Sequence, residues 1–108
     1  AVFGWKYEPK PFWFKGIKQG TVSYKADFRV VWESGEEVYY EIKAGYMCQK
    51  DITKYKRMAS RHPDIKLVLV VTKIPKRGKY KNYIDSAKKY VHHVWEVGED
   101  YKRFGIRI

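Results

Sequence analysis

The chain has a single cysteine, Cys48, in 108 residues. An internal disulfide is therefore excluded, and so is a metal site built on paired thiolates. No histidine or asparagine context surrounds Cys48, so it reads as a packing or loop residue rather than a nucleophile. With no signal peptide in view, a reducing intracellular setting is the expectation. No apolar run is long enough to span a bilayer, and no amphipathic anchor with bulky apolar residues is visible. Acidic residues are scarce: 12 stand against 23 basic ones, for a net charge of +11. That imbalance says little about fold, but it predicts attraction to polyanions, of which nucleic acid is the commonest. Repeats, low-complexity tracts and internal linkers are absent, so residues 1–108 read as one domain with one core.

Aromatic residues are abundant, at 18% with ten tyrosines and four tryptophans. Many fall early. Phe3, Trp5 and Tyr7 share a strand phase, and Pro9 and Pro11 exclude a helix. The expectation is an extended segment whose aromatic face covers the core. Lys6, Lys10, Lys15 and Lys18 interleave with these rings, and a base-stacking platform is the alternative. Lys15 to Gly20, with two glycines, reads as a turn.

The informative stretch is Ser23 to Gly45. Tyr24, Ala26, Phe28 and Val30 alternate with Lys25, Asp27 and Arg29, the period of a half-buried strand. Ser34-Gly35 supplies a turn. Val38, Tyr40 and Ile42 then alternate with Tyr39, Glu41 and Lys43. If the two strands pair, Asp27, Glu41 and Lys43 meet at one end of one sheet face. Carboxylate oxygens are hard ligands that suit Mg²⁺, and the Ile42 carbonyl is placed to add to Asp27 and Glu41 as a third ligand. Such a metal lowers the pKa of a bound water and stabilises charge on a phosphate. A lysine beside it holds the water or the phosphate as a compact point charge. The competing reading is a solvated strand face carrying a surface ion pair.

Beyond the hairpin, Gln49 to Arg61 has the helical period. Ile52, Tyr55, Met58 and Ala59 form one stripe, and Lys50, Lys54, Arg57 and Arg61 form a basic one. His62-Pro63 ends it. Asp51 reads as a cap rather than a metal ligand. Ile65 to Thr72 is a near-continuous apolar run, as in a strand buried on both faces. A helix between two strands implies a right-handed crossover and a parallel pair. Lys73 to Lys81 reads as a basic loop, with Lys73, Lys76, Arg77 and Lys79 as candidate backbone contacts to nucleic acid beside Lys50, Lys54 and Arg57. Asn82 to Val91 reads as a second helix capped by Asn82. His92-His93 points two ways and finds no soft ligands nearby, which argues against a metal there. Val94 to Ile108 is expected to pack across the sheet or form an interface. The fold class is α/β: a small mixed sheet of four or five strands flanked by helices.

The Asp27-x13-Glu41-x-Lys43 pattern across a hairpin resembles the motif of the PD-(D/E)XK nuclease superfamily, with Ala26 where the motif usually has proline. Around it, Trp5-Lys6-Tyr7-Glu8, Tyr24-x-x-Asp27-Phe28, Glu41-x-Lys43-x-Gly45, Asp51-x-x-Lys54 and His62-Pro63 resemble the phage endonuclease I type of Holliday-junction resolvase, from about Trp5 to about Tyr90. The resemblance implies a restriction-endonuclease-like core. It also implies a Mg²⁺- or Mn²⁺-dependent endodeoxyribonuclease acting on branched DNA as a homodimer, in the host cytoplasm if phage-encoded. Asp27, Glu41 and Lys43 would be its catalytic residues. Relatives of this type often carry one more acid on a helix before the first strand. None is visible here, and Glu8, the one early acid, reads as structural. The expectation is a domain lacking that helix, or a site completed by another segment. Two alternatives follow: a partner-dependent nuclease subunit of a transposase or repair assembly, and a non-catalytic DNA-binding domain.

Overall fold

The computed structural model describes residues 2–18, 20 and 22–98 of the chain. In chain order the elements are β1 (Val2–Tyr7), β2 (Phe12–Trp13), β3 (Ser23–Tyr24), β4 (Phe28–Trp32), β5 (Glu37–Lys43), α1 (Gln49–Arg61), β6 (Leu67–Val71), α2 (Lys79–Ala87) and β7 (His93–Glu96). Five strands form one mixed sheet in the order β1-β4-β5-β6-β7, while β2 and β3 pair separately. β1, β4 and β5 run antiparallel, and β5, β6 and β7 run parallel. This is the expected α/β architecture, with the parallel pair on either side of α1. No described helix is long and apolar enough to cross a membrane.

The apolar periodicities explain the layering. Ile52, Tyr55 and Met58 of α1 and Ile84 and Ala87 of α2 are buried against Tyr39 of β5 and Leu67, Leu69 and Val71 of β6. Both helices therefore lie on one face of the sheet. The other face holds Val38, Tyr40, Ile42, Val68 and Val70, and among the described residues no helix packs on it. "Flanked by helices" thus reduces to a two-layer arrangement. β6 is buried along its whole length, as its unbroken apolar run requires.

Three expectations need correction. First, the β1 rings do not cover the core: Phe3 is 80% exposed and Trp5 67%. β1 is the outermost strand on its side, beyond the reach of the helices, and a register irregularity between Val2 and Gly4 breaks its alternation. Second, the strand expected from Tyr24 to Val31 is two strands. Tyr24 and Ala26 are buried in the helix-side core. Phe28 instead meets the rings of Trp5 and Tyr7 on the opposite face. The chain changes faces at Asp27, whose N–H bonds the Tyr40 carbonyl although Phe28 is the residue opposite Tyr40. An extra residue of this kind re-aims a side chain. Third, α2 runs over Lys79–Ala87 rather than 82–91, with Gly78 at its N-cap. Gly78 has φ +107°, a turn that only glycine makes without strain, so Lys79 is the first helical residue and not part of the loop. The expected packing of 94–108 reaches only as far as β7 and Val97; residues 99–108 lie outside the described residues.

Candidate active site

β5 leaves the sheet at Lys43, and three elements meet it there. The face change in the chain before β4 turns Asp27 toward the face carrying Glu41 and Lys43. Asp27 Oδ2 accepts a hydrogen bond from the Ile42 N–H at 2.8 Å, taking the place that a β4 carbonyl would fill. The N–H and C=O of one strand residue face the same neighbour. The Ile42 carbonyl is therefore directed at the same gap, beside Asp27. On the other side of the gap, the Glu8 N–H bonds the Asp27 carbonyl at 2.7 Å. The Glu8 side chain itself is exposed, 4.0 Å from Lys25, and takes no part in the cluster.

Glu41 is one of two buried charged residues among those described, at 8% exposure. Burial disfavours its charged form, and the hydrogen-bonded Asp27 carboxyl adds to the effect. Together they push its pKa up to about 8, against weaker pulls from the Tyr24 phenol and Lys43. Glu41 therefore favours its protonated form at neutral pH in the metal-free protein. Tyr24 lies over this pair, with its own ionisation suppressed first by burial and then by Glu41. Its buried hydroxyl makes no hydrogen bond of good geometry among the described residues.

Lys43 is hydrogen-bonded to a third carboxylate. Its Nζ donates to Asp51 Oδ1 at 3.1 Å. Burial by itself would lower the ammonium pKa, but the hydrogen bond and charge of Asp51, with the charges of Glu41 and Asp27, outweigh it and raise it. Asp51 sits in the first turn of α1, and its other oxygen accepts the Cys48 N–H at 3.0 Å, closing a capping box. Burial would raise the Asp51 pKa; the Cys48 backbone and Lys43 bring it below the usual carboxylate range. The expectation that Asp51 caps the helix holds, and the structure adds its bond to Lys43. The Tyr80 hydroxyl, in the first turn of α2, donates to the Lys43 carbonyl at 3.0 Å.

Three of the sequence-derived residues, Asp27, Glu41 and Lys43, thus converge, with Ile42 between them. Sequence reasoning missed the roles of Asp51 and Tyr80. An acid in the first turn of the helix right after Glu-x-Lys was a usable signal for Asp51; nothing local marked Tyr80. The basic residues fall around the same end of β5. Lys50 and Lys54 lie in the first turns of α1, exposed and half-buried respectively, and Arg57 is half-buried further along. Lys73, Lys76 and Arg77 are exposed in the connection from β6 to α2, and Lys79 is exposed at the start of α2. Because β6 runs parallel to β5 with Val71 beside Lys43, that connection leaves the sheet at the same end. Arg61, at the far end of α1, is instead committed to the Lys15 carbonyl at 2.6 Å.

Two neighbouring carboxyl groups with a main-chain carbonyl beside them make an all-oxygen donor set, of the type hard divalent cations take. Among the described residues no group of three or more histidine, cysteine or acidic side chains is arranged to hold a metal. Protein donors to an ion here would therefore be two carboxylates and one carbonyl, leaving room for water and substrate oxygens. Compared with protein-family models, with curated proteins and with solved structures, the chain finds no match.

Proposed function

We propose that the protein is a metal-dependent endodeoxyribonuclease of the PD-(D/E)XK type, directed at branched DNA such as a four-way junction. The observation that carries this reading is the meeting of Asp27, Glu41 and Lys43 at the end of β5, with Glu41 buried there. A buried carboxyl that cannot stay ionised unaided is primed to exchange its proton for a divalent cation. Asp27, Glu41 and the Ile42 carbonyl would hold Mg²⁺ or Mn²⁺, which supplies an activated water and neutralises charge on the phosphate. Lys43 holds a positive charge beside the pair and stabilises the phosphoryl oxygens during displacement. Lys50, Lys54, Arg57, Lys73, Lys76, Arg77 and Lys79 bind the DNA backbone and orient it, without reading sequence. Two symmetric cuts at a junction call for two such sites, hence a two-fold dimer.

The second reading, a nuclease subunit that works only inside a larger assembly, is favoured by one observation: among the described residues no third carboxylate joins Asp27 and Glu41 in a metal-holding group, since Asp51 is bonded to Lys43 and to the Cys48 N–H. One experiment addresses both. Labelled four-way junction and matched linear duplex are incubated with the protein in Mg²⁺, in Mn²⁺ and in EDTA, with Glu41→Gln as control. Paired metal-dependent cuts on the junction, absent in the variant, are expected. Tight binding without cutting in either metal would refute autonomous nuclease activity and favour the assembly reading.

A further inference from the structure

We propose that Asp51 is the positioning residue for Lys43: it fixes the ammonium at the edge of the site and keeps it off the carboxyl pair. The inference rests on the nuclease reading for its catalytic consequence, but not for the contact itself.

The geometry is a division of labour within one carboxylate. Oδ2 is held by the Cys48 N–H at 3.0 Å and faces the Cys48 Sγ at 3.5 Å. Oδ1 receives the Lys43 Nζ at 3.1 Å. Capping α1 uses only one of these oxygens, the one that accepts the Cys48 N–H. The second is free to aim the lysine. The Asp51 side chain is only 10% exposed and the Lys43 side chain 23%, so the bond is partly shielded from water. A lysine stem is long and flexible, whereas Asp51 is short and clamped to backbone. Its contact therefore converts a mobile charge into a placed one.

Two electrostatic facts make this placement depend on Asp51. The start of a helix carries partial positive charge and disfavours a cation. Lys43 lies against the start of α1, and the Asp51 carboxylate is what makes that position favourable. Lys43 and Glu41 also share a strand face two residues apart, within reach of each other. Without Asp51 the ammonium swings toward Glu41 and occupies the oxygens that a metal ion would use.

Four proteins test this: wild type, Asp51→Asn, Lys43→Ala and the double variant. The first readout needs no activity. In ¹H–¹⁵N spectra of the lysine ammonium groups, the wild type shows a Lys43 signal protected from solvent exchange, assigned by its absence in Lys43→Ala. That signal is expected to be lost in Asp51→Asn. The second readout is junction cleavage in Mg²⁺. Asp51→Asn is expected to lower kcat about 10–100-fold, the usual cost of removing an outer partner of a site, with KM little changed. In the Lys43→Ala background the same substitution is expected to cost nothing more. The thermal midpoint, in contrast, is expected to fall in both backgrounds, because both lose the carboxylate of the cap. A protected Lys43 signal in Asp51→Asn, or equal rate losses in both backgrounds, would overturn the proposal. A wild type that cuts no DNA removes the catalytic role together with the nuclease reading, while the ammonium signal still decides whether Asp51 holds Lys43.

Discussion

Replacing Glu41 by glutamine should remove most of the pH dependence of stability in the metal-free protein between pH 5 and 9. Glu41 has a folded-state pKa pushed up to about 8, against 4.5 when unfolded. A raised folded-state value means that the folded protein binds the proton more tightly. Its contribution to stability is fully present below pH 4.5 and is lost as pH rises through 8. Each pH unit of that gap corresponds to about 1.4 kcal/mol. The full loss is then on the order of 4–5 kcal/mol, and local relaxation around the ionised carboxylate will reduce it. Even half of that is a large fraction of the roughly 5–15 kcal/mol typical of a domain. Urea unfolding in EDTA at half-unit pH steps measures it. The wild-type midpoint should fall by about 1 M or more across the window, given slopes of about 1–3 kcal/mol per M. Glu41→Gln, neutral throughout and nearly isosteric, should stay almost level. Parallel curves for the two proteins would show that Glu41 ionises without penalty, and the argument from its burial would fail.

If the proposed metal site exists, metal binding should be linked to the same proton. Calorimetric titration with Mg²⁺ at pH 7, in two buffers of different ionisation enthalpy, should report release of about one proton per site, and close to none in Glu41→Gln. Lys50→Ala and Lys76→Ala should each weaken DNA binding irrespective of sequence. Each should also reduce the slope of log affinity against log salt by about 0.9, measured by fluorescence anisotropy on duplex. Tyr80→Phe deletes the bond to the Lys43 carbonyl. It should cost about 0.5–1.5 kcal/mol in urea unfolding, with a further drop in cleavage rate if α2 holds the end of β5 in place.

The sequence was most legible where a local period coincided with a layer of the core. The α1 bounds came out at Gln49 and Arg61 because the Ile52–Tyr55–Met58 stripe has one surface to bury and His62-Pro63 forbids continuation. β5 was placed correctly on both faces because its neighbours on either side are sheet strands and its alternation runs unbroken. The failure at Tyr24–Val31 has the same root. The apolar alternation there is also unbroken, yet its first half belongs to the helix-side core and its second half to the opposite face. Local period carries no information about an inserted residue that flips the phase. β1 failed for a related reason: periodicity showed that Phe3, Trp5 and Tyr7 could share a face, but only the strand order shows that the helices never reach it. Asp51 and Tyr80 bond Lys43 from eight and 37 residues away. Those contacts are tertiary, and a reading confined to motif spacing has no access to them.

The electrostatics of the site follow from these tertiary contacts more than from the net charge of +11. A chain so basic would be expected to keep any carboxylate ionised, yet Glu41 climbs to about 8. The exposed cations on α1 and on the β6–α2 connection stand in water, where screening makes them weak partners for a buried group. Lys43 is the one cation among the causes acting on Glu41, and its hydrogen bond goes to Asp51 instead. The site thus separates two kinds of positive charge. One is a solvated rim, and the other is a single ammonium tied down within the site. The carboxyl pair between them is left without a hydrogen-bonded counter-ion. On the proposed reading, the Asp51–Lys43 bond keeps the ammonium from filling that role, and a divalent cation would take it.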